Sequence, residues 1–135
     1  MKKVRKTLKS SRWRKFRERI LKKYNYLCQE SLRYGLRVEA EMVHHIFPVS
    51  EYPELEFVSW NCLPLTNKIH NTFHDRNTNK IIGEGLRWQR RREKEFKELN
   101  FKIERQLQIL KELWEENPNI NWNGNNTIQE EYYNK

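Results

Sequence analysis

Apolar positions near the start of the chain predict an amphipathic helix. These positions are Trp13, Phe16, Ile20 and Tyr24, which are spaced by 3, 4 and 4 residues. The spacing places them on one face of a helix that Ser10 or Ser11 can cap, and we expect this face to pack on the core. The cations between them should face solvent or phosphate. These cations are Arg12, Lys15, Arg19 and Lys22.

The segments that follow are typical of short strands joined by a loop. Residues 38–46 alternate loosely between apolar and polar side chains, which predicts a first strand. Two prolines confine residues 47–58 to a loop. Residues 60–66 predict a second strand, in which Pro64 restricts the pairing to a sheet edge or to an irregular register. A short helical or turn segment over residues 27–34 precedes both strands.

A short helix is predicted over residues 67–76. Thr66 or Asn67 can cap this helix, and Ile69 and Phe73 lie one turn apart on it. The two apolar side chains should anchor the helix to the core.

A long helix is predicted over residues 86–116, before Pro118. Its apolar positions step by 3, 4, 4, 3 and 4 residues. They are Phe96, Leu99, Ile103, Leu107, Leu110 and Trp114. This period is compatible with packing on the chain's own core, with a coiled coil of two copies, or with a helix that binds a larger assembly.

The patterns divide the chain into four segments. We expect a flexible basic arm over residues 1–10, one domain with its N-terminal helix over residues 11–93, and a C-terminal helix over residues 94–116. The asparagine-rich tail, residues 117–135, should be disordered. One domain with extensions fits a chain of 135 residues.

The composition argues against a membrane protein and against a disulfide-rich secreted protein. Charged residues make up 33% of the chain and the mean hydropathy is −1.07, and no stretch approaches the roughly 20 apolar residues of a membrane span. The basic amino terminus lacks an apolar segment behind it. The two cysteines, Cys28 and Cys62, do not make a disulfide framework. We therefore expect a cytoplasmic protein with reduced thiols.

The positive charge is concentrated at the amino terminus. Residues 1–26 hold twelve Lys and Arg against one acid, Glu18, a net charge of +11 that leaves −2 for the rest of a chain of net charge +9. A basic segment on a nearly neutral body indicates a polyanionic partner, and nucleic acid is the commonest one. An anionic membrane, ribosomal RNA and a solvated tail are the alternatives.

All four histidines fall within a window of 31 residues: His44, His45, His70 and His74. Residues four apart on a helix lie one above the other, so His70 and His74 can reach one metal ion. His44 can supply a third ligand from the first strand. A zinc protease would have Glu where Asn71 stands, so that class is not favoured. Three protein ligands with an open position are typical of a catalytic metal site.

His45 should have a different task from His44. Neighbouring residues on a strand point to opposite faces, so both imidazoles cannot bind one ion without distortion. His45 can then act as a general base that takes a proton from water. Asn61 has a carbonyl and an amide that can fix the loop after His45 or orient its ring.

These residues resemble the motif of HNH endonucleases. The matching segments read VHHIFP from residue 43, NCLPL from residue 61 and HNTFHDR from residue 70. The resemblance covers about residues 12–90 and is similar to small phage and prophage members of the family. It implies an α+β fold with a small ββα-metal core, in which a two-stranded antiparallel hairpin and a helix hold one divalent cation. The N-terminal helix and the long C-terminal helix would flank this core.

The resemblance also implies roles for single residues. His44 matches the first metal ligand, which many members supply as Asp, and His70 matches the second. His74 is similar to the third ligand of the colicin-type nucleases. His45 matches the general base and Asn61 the asparagine of the motif. The implied activity is cleavage of DNA phosphodiesters to 5′-phosphate and 3′-hydroxyl ends, either by nicking or by cutting both strands.

The expected cofactor is one divalent metal ion. Imidazole ligands favour Zn, Ni, Co or Mn over Mg, although Mg is more abundant in cells. Many relatives also carry two Cys-x-x-Cys pairs for a structural zinc. Here the corresponding positions are Cys28 and Ser31 in one segment and Thr66 and Ile69 in the other. One thiolate cannot assemble a tetrahedral zinc site, so no zinc knuckle is expected.

Arginines after the motif are candidates for contacts with DNA phosphates, and a solvated helix face is the alternative for them. These arginines are Arg76, Arg87, Arg90, Arg91 and Arg92. The runner-up function is a basic nucleic-acid-binding module whose metal site is structural or lost. The resemblance further implies DNA as a partner and a bacterial host cell as the location. Relatives serve in genome packaging, homing, restriction and bacterial toxicity, and of these the resemblance favours a role beside a phage terminase or packaging machinery. A homodimer through the helix at residues 96–114 is a further expectation.

Overall fold

The computed structural model describes residues 10–119. The arm predicted over residues 1–10 and the tail predicted over residues 117–135 lie almost entirely outside the described residues. Within the described range, five α-helices accompany one two-stranded antiparallel sheet, which confirms the α+β fold with a small ββα core. The elements are α1 Ser11–Lys23, α2 Gln29–Arg33, β1 Met42–His45, β2 Cys62–Leu65, α3 Asn67–Thr72, α4 Glu84–Arg91 and α5 Glu93–Glu116.

Helix α1 forms as its apolar spacing predicts. The Ser10 hydroxyl caps the helix by accepting a hydrogen bond of 3.1 Å from the Trp13 amide. Trp13, Phe16 and Ile20 are buried in one cluster with residues of the sheet. Tyr24 ends the helix and is partly buried. The buried stripe therefore holds α1 against the sheet.

The two strands are shorter than the sequence predicts, and they pair in a regular register. Met42 lies opposite Leu65, and His45 lies opposite Cys62. Pro64 lacks an amide hydrogen. It is accommodated because β2 pairs with β1 alone in this two-stranded sheet, so the other edge of β2 needs no hydrogen-bond donor. Burial raises the pKa of the Cys62 thiol to about 12.

A buried polar cluster joins α2 to α4. Glu30 is a buried carboxylate that accepts a hydrogen bond of 2.5 Å from the Trp88 indole nitrogen and a charged one of 2.9 Å from Arg33. Arg33 also lies 3.5 Å from Glu84 at the start of α4. A buried charge is tolerated when it is paired and hydrogen-bonded in this way. Cys28, which directly precedes α2, is buried with a free thiol.

The long helix predicted over residues 86–116 is two helices. The chain leaves helical geometry at Arg92, where φ is −105° and ψ is 10°. Two side chains near this position form hydrogen bonds with backbone carbonyls of other elements. Gln89 donates to the Ile46 carbonyl at 3.0 Å, and the Arg92 guanidinium donates to the Trp60 carbonyl at 3.3 Å. No Gly or Pro marks this position, so the break follows from tertiary contacts.

The chain divides into two compact units, Met1–Glu95 and Phe96–Lys135, and the boundary falls within the first turn of α5. None of its residues is buried by the described residues. Leu107, Leu110 and Trp114 are 59%, 55% and 45% exposed. These apolar side chains of α5 are therefore exposed within the described part of the chain. No helix in that part has the length and apolar character needed to cross a bilayer.

Candidate metal centre and the adjacent histidine

Three imidazoles converge as the sequence predicts. His44, His70 and His74 each offer a ring nitrogen, and these nitrogens all lie within 4.8 Å of one another. The Nε2 atoms of His70 and His74 are 3.1 Å apart. Nitrogens that share an ion at a bond length of about 2.1 Å lie roughly 3.0–3.4 Å apart. The His70–His74 pair already has this spacing. The ring nitrogen of His44 lies within 4.8 Å of the other two, so a small movement of its side chain would bring it to the same spacing.

Elements of different kinds position the three rings. His44 lies on β1 and is only 2% exposed. Its ring packs edge-on against Phe73, the fully buried residue that ends α3, with the two ring centroids 5.4 Å apart. His70 lies on α3, whose Thr66 cap accepts from the Ile69 amide. Strand β1 and helix α3 therefore meet at the cluster of three histidines, His44, His70 and His74.

The prediction that His70 and His74 share one continuous helix is wrong in detail. Helix α3 ends at Thr72, and His74 instead forms an antiparallel bridge with Ile81. The turn between them is held by Asp75, whose carboxylate accepts from the amides of Asn77 and Thr78. These hydrogen bonds lower the pKa of Asp75. Although His74 lies outside the helix, the two rings remain in contact, with centroids 4.7 Å apart.

Hydrogen bonding fixes the tautomer of His74. Its Nδ1 lies 3.2 Å from the Asn79 carbonyl, and a carbonyl only accepts, so Nδ1 carries the proton. The lone pair of the neutral ring is then on Nε2, the atom that faces His70. Orientation of a metal ligand through its other nitrogen is the usual arrangement in histidine metal sites.

His44 is held in its neutral form. Burial lowers the pKa of its imidazole well below the ordinary value, and the neighbouring histidines His70, His74 and His45 add to this effect. Its Nε2 is buried without a hydrogen-bond partner among the described residues. A buried polar atom left without a partner costs about 1–3 kcal/mol. A cation bound by the three rings would satisfy this nitrogen, so the donor set fits a divalent metal ion.

The cluster opens onto a pocket of about 400 Å³. This opening gives a substrate group access to the side of the cluster formed by α3 and the following turn. The lining residues are His70, Asn71, Thr72, His74, Asp75, Arg76 and Asn79.

His45 points to the other side of β1. Its ring lies 5.0 Å from the ring of Trp13 on α1, and its Nε2 is 3.0 Å from the Glu56 carbonyl. Because the carbonyl only accepts, Nε2 carries the proton and the basic nitrogen of the neutral ring is Nδ1. The predicted separation of His44 from His45 is thus confirmed, and Trp13 and Glu56 are contacts that the sequence did not reveal.

Asn61 fixes the loop after His45. Its side-chain oxygen accepts from the Phe47 amide at 2.7 Å, and its nitrogen donates to the carbonyls of Phe47 and Leu55 at 3.0 and 3.3 Å. Asn61 is fully buried. The asparagine therefore closes the segment between the two strands.

The predicted phosphate contacts do not form one group. Arg76 lines the pocket at the histidine cluster. Arg87 forms a salt bridge of 3.0 Å with Glu84, and Arg91 and Arg92 lie over the Trp88 ring at 4.9 and 5.7 Å. Arg90 is exposed on α4. Only Arg76 is therefore placed at the cluster by the contacts of the described residues.

The hairpin, the helix after it and the imidazole cluster define a ββα metal-site protein. Comparison with solved structures finds a likeness to the HNH endonuclease of the deep-sea thermophilic bacteriophage GVE2, crystallised with a manganese ion. The identity is 30%, over 49% of this chain and 72% of the phage protein, with a TM-score of 0.48. No family model and no curated protein matches the chain.

The chain belongs to the HNH endonuclease family. The assignment rests on the 30% identity over 72% of the phage protein and on the motif residues.

Loss of a cluster imidazole should weaken metal binding. Removing an outer partner of a ligand costs about 10–100-fold in affinity, so we expect His70→Ala and His74→Ala to weaken Mn²⁺ binding by at least about 100-fold. The matched control is His45→Ala, which removes an imidazole from the other face of β1 and should leave the affinity unchanged. Isothermal titration calorimetry measures all three. Equal losses in the three variants would contradict the ligand set.

The low pKa of His44 predicts a loss of stability in acid. The unfolded state takes up the proton near pH 6.5, whereas the folded state resists it, so the free energy of unfolding of the metal-free protein should fall as the pH drops below about 6.5. Urea denaturation at several pH values measures this slope. The variant His44→Gln lacks the titrating ring and should show a shallower slope, and a slope identical to that of the native chain would contradict the prediction.

Proposed function

We propose that this protein is a metal-dependent DNA endonuclease. The observation that carries the proposal is the pair of neighbours on β1: His44 faces two further imidazoles, and His45 faces away from them. The first arrangement suits a cation and the second suits a proton acceptor. Membership of the HNH endonuclease family supports the same assignment.

His45 is the proposed general base. Its Nε2 hydrogen bond to the Glu56 carbonyl directs Nδ1 to accept a proton from water, and contact with the Trp13 ring limits rotation of the imidazole. A divalent cation held by His44, His70 and His74 would stabilise negative charge on the phosphodiester and on the departing 3′ oxygen. Asn61 supports the reaction indirectly, because it holds the loop that follows His45.

The finer features of the reaction follow the family. We propose products with 5′-phosphate and 3′-hydroxyl ends, and a manganese, zinc, nickel, cobalt or magnesium ion as cofactor. Arg76 is the arginine best placed to bind a phosphate at the cluster. We also propose a role in processing or packaging phage DNA beside a terminase, in the cytoplasm of a bacterial host.

Plasmid nicking tests the proposal. We expect the native chain to convert supercoiled DNA to the open-circular form when Mn²⁺ is added, and His45→Ala to slow single-turnover nicking by about 10²–10⁴-fold while it still binds the metal. Exposed Lys102 on α5 provides the control variant Lys102→Ala, which should nick at the native rate.

Two results would count against the nuclease. Undiminished nicking by His45→Ala would remove this residue from catalysis. DNA and metal binding by the native chain without nicking, in each of the proposed metals, would favour the non-catalytic binding module.

We further propose that α5 pairs with α5 of a second copy. Support comes from the exposed apolar side chains on the second half of the helix, which include Leu107, Leu110 and Leu113. The repeat length of the stripe is that of a coiled coil.

Sedimentation equilibrium of the full chain measures this pairing. Burying a Leu side chain contributes about 1.5–3 kcal/mol, and a symmetric pair contains two copies, so Leu110→Glu should weaken the dimer by more than about 100-fold. Gln108→Glu adds the same charge two residues away and should change the dimer little. A native chain that stays monomeric at all concentrations would contradict the pairing.

A further inference from the structure

We propose that the exposed side of α1 is a binding surface for the phosphate backbone of the nucleic acid, on the side of the hairpin where His45 lies. The proposal rests on the proposed function for the identity of that nucleic acid as DNA. The surface, called the α1 cationic face here, is formed by Arg14, Lys15, Arg19 and Lys22.

Burial on the opposite side fixes the orientation of this face. Trp13, Phe16 and Ile20 pack into the core, and Arg17 is tied to the sheet segment by a hydrogen bond of 3.2 Å to the Glu41 carbonyl. The helix therefore cannot rotate without exposing its apolar stripe. The cations between the buried positions are held on the solvent side.

The same helix touches the proposed general base. The Trp13 and His45 rings are 5.0 Å apart, and the neighbouring Arg12 guanidinium lies 3.8 Å above the Phe57 ring, one residue after the carbonyl that holds His45. A nucleic-acid strand bound at His45 would therefore lie next to the N-terminal end of α1. Flanking phosphates then come within reach of long Lys and Arg side chains.

The charge of the face is almost entirely positive. Glu18 is the single acidic residue of α1, and it accepts a hydrogen bond from the Tyr26 hydroxyl. Within residues 10–119, no cation of α1 takes part in a salt bridge, whereas Arg33 and Arg87 do. Salt bridges among the described residues thus leave the positive charge of the face unneutralised.

The length of the face matches a stretch of DNA backbone. Arg14 and Lys22 are eight residues apart, which is about 12 Å along a helix. One DNA strand presents a phosphate about every 3.4 Å along its axis, so this length spans three to four phosphates.

Nucleic acid fits this face better than an anionic membrane does. A helix that lies on a membrane inserts its apolar side into the lipid. The apolar side of α1 is already buried in the core. Binding at this face is therefore purely electrostatic, as it is for contacts with a phosphate backbone.

The test compares salt dependence in two triple variants of the full chain, both carrying His45→Ala so that DNA is not cleaved. The first neutralises the face with Arg14→Gln, Lys15→Gln and Lys22→Gln, and it spares Arg12 and Arg19 because they contact aromatic rings. The second neutralises exposed cations of α5 with Lys102→Gln, Arg105→Gln and Lys111→Gln. Both variants change the net charge by the same amount.

Fluorescence anisotropy with a 30-base-pair duplex at several salt concentrations measures the DNA affinity of both variants. Each lost phosphate contact should reduce the slope of log K against log salt by about 0.9, so the α1 variant should lose up to about 2.7 and the α5 variant much less. Equal slopes in the two variants, or an α1 variant with the parental slope, would overturn the proposal.

Two further measurements distinguish DNA binding at this face from lipid binding and from the nuclease activity. If the α1 variant keeps its DNA affinity but loses binding to vesicles that contain phosphatidylserine, the face binds lipid and the proposal is overturned. If the native chain fails to nick DNA while the α1 variant loses its salt slope as expected, the face stands and the nuclease assignment falls.

Discussion

Alternation of side chains along β1 places two chemically identical rings in opposite environments. The pairing of His44 with Leu63 and of His45 with Cys62 directs the first ring toward α3 and the second toward α1. A slip of one residue in this register would exchange the surroundings of the two rings. These four strand residues therefore determine which ring faces α3 and which ring faces α1. Helices α1 and α3 and the loop between the strands hold this register in place.

Buried polar groups of the core differ in whether the protein satisfies them. Asn61 and Glu30 are buried, and each is hydrogen-bonded to its surroundings. The Nε2 of His44 and the Oε1 of Glu56 are buried without a hydrogen-bond partner among the described residues. A cation that supplied the missing partner of His44 would also stabilise the hairpin, because a ligand that binds only the folded state raises its stability.

The sequence predicted those features that depend on local patterns. The buried stripe of α1, the hairpin, the convergence of His44, His70 and His74, and the opposite direction of His45 were all expected from spacing or from the family motif. The early end of α3 and the break at Arg92 were not, because they arise from turn hydrogen bonds and contacts distant in sequence. Trp13 looked like an ordinary core residue, since periodicity does not show which side chain a buried ring will touch.

The environment of Cys62 determines how reactive its thiol is. This cysteine lies opposite His45 in the hairpin and is buried in the cluster that packs on α1. Metals and oxidants react with the thiolate, and a thiol whose pKa is about 12 provides almost none at neutral pH. The Cys62 thiol should therefore react slowly with oxidants, and the strand that pairs with His44 and His45 resists oxidation at this position.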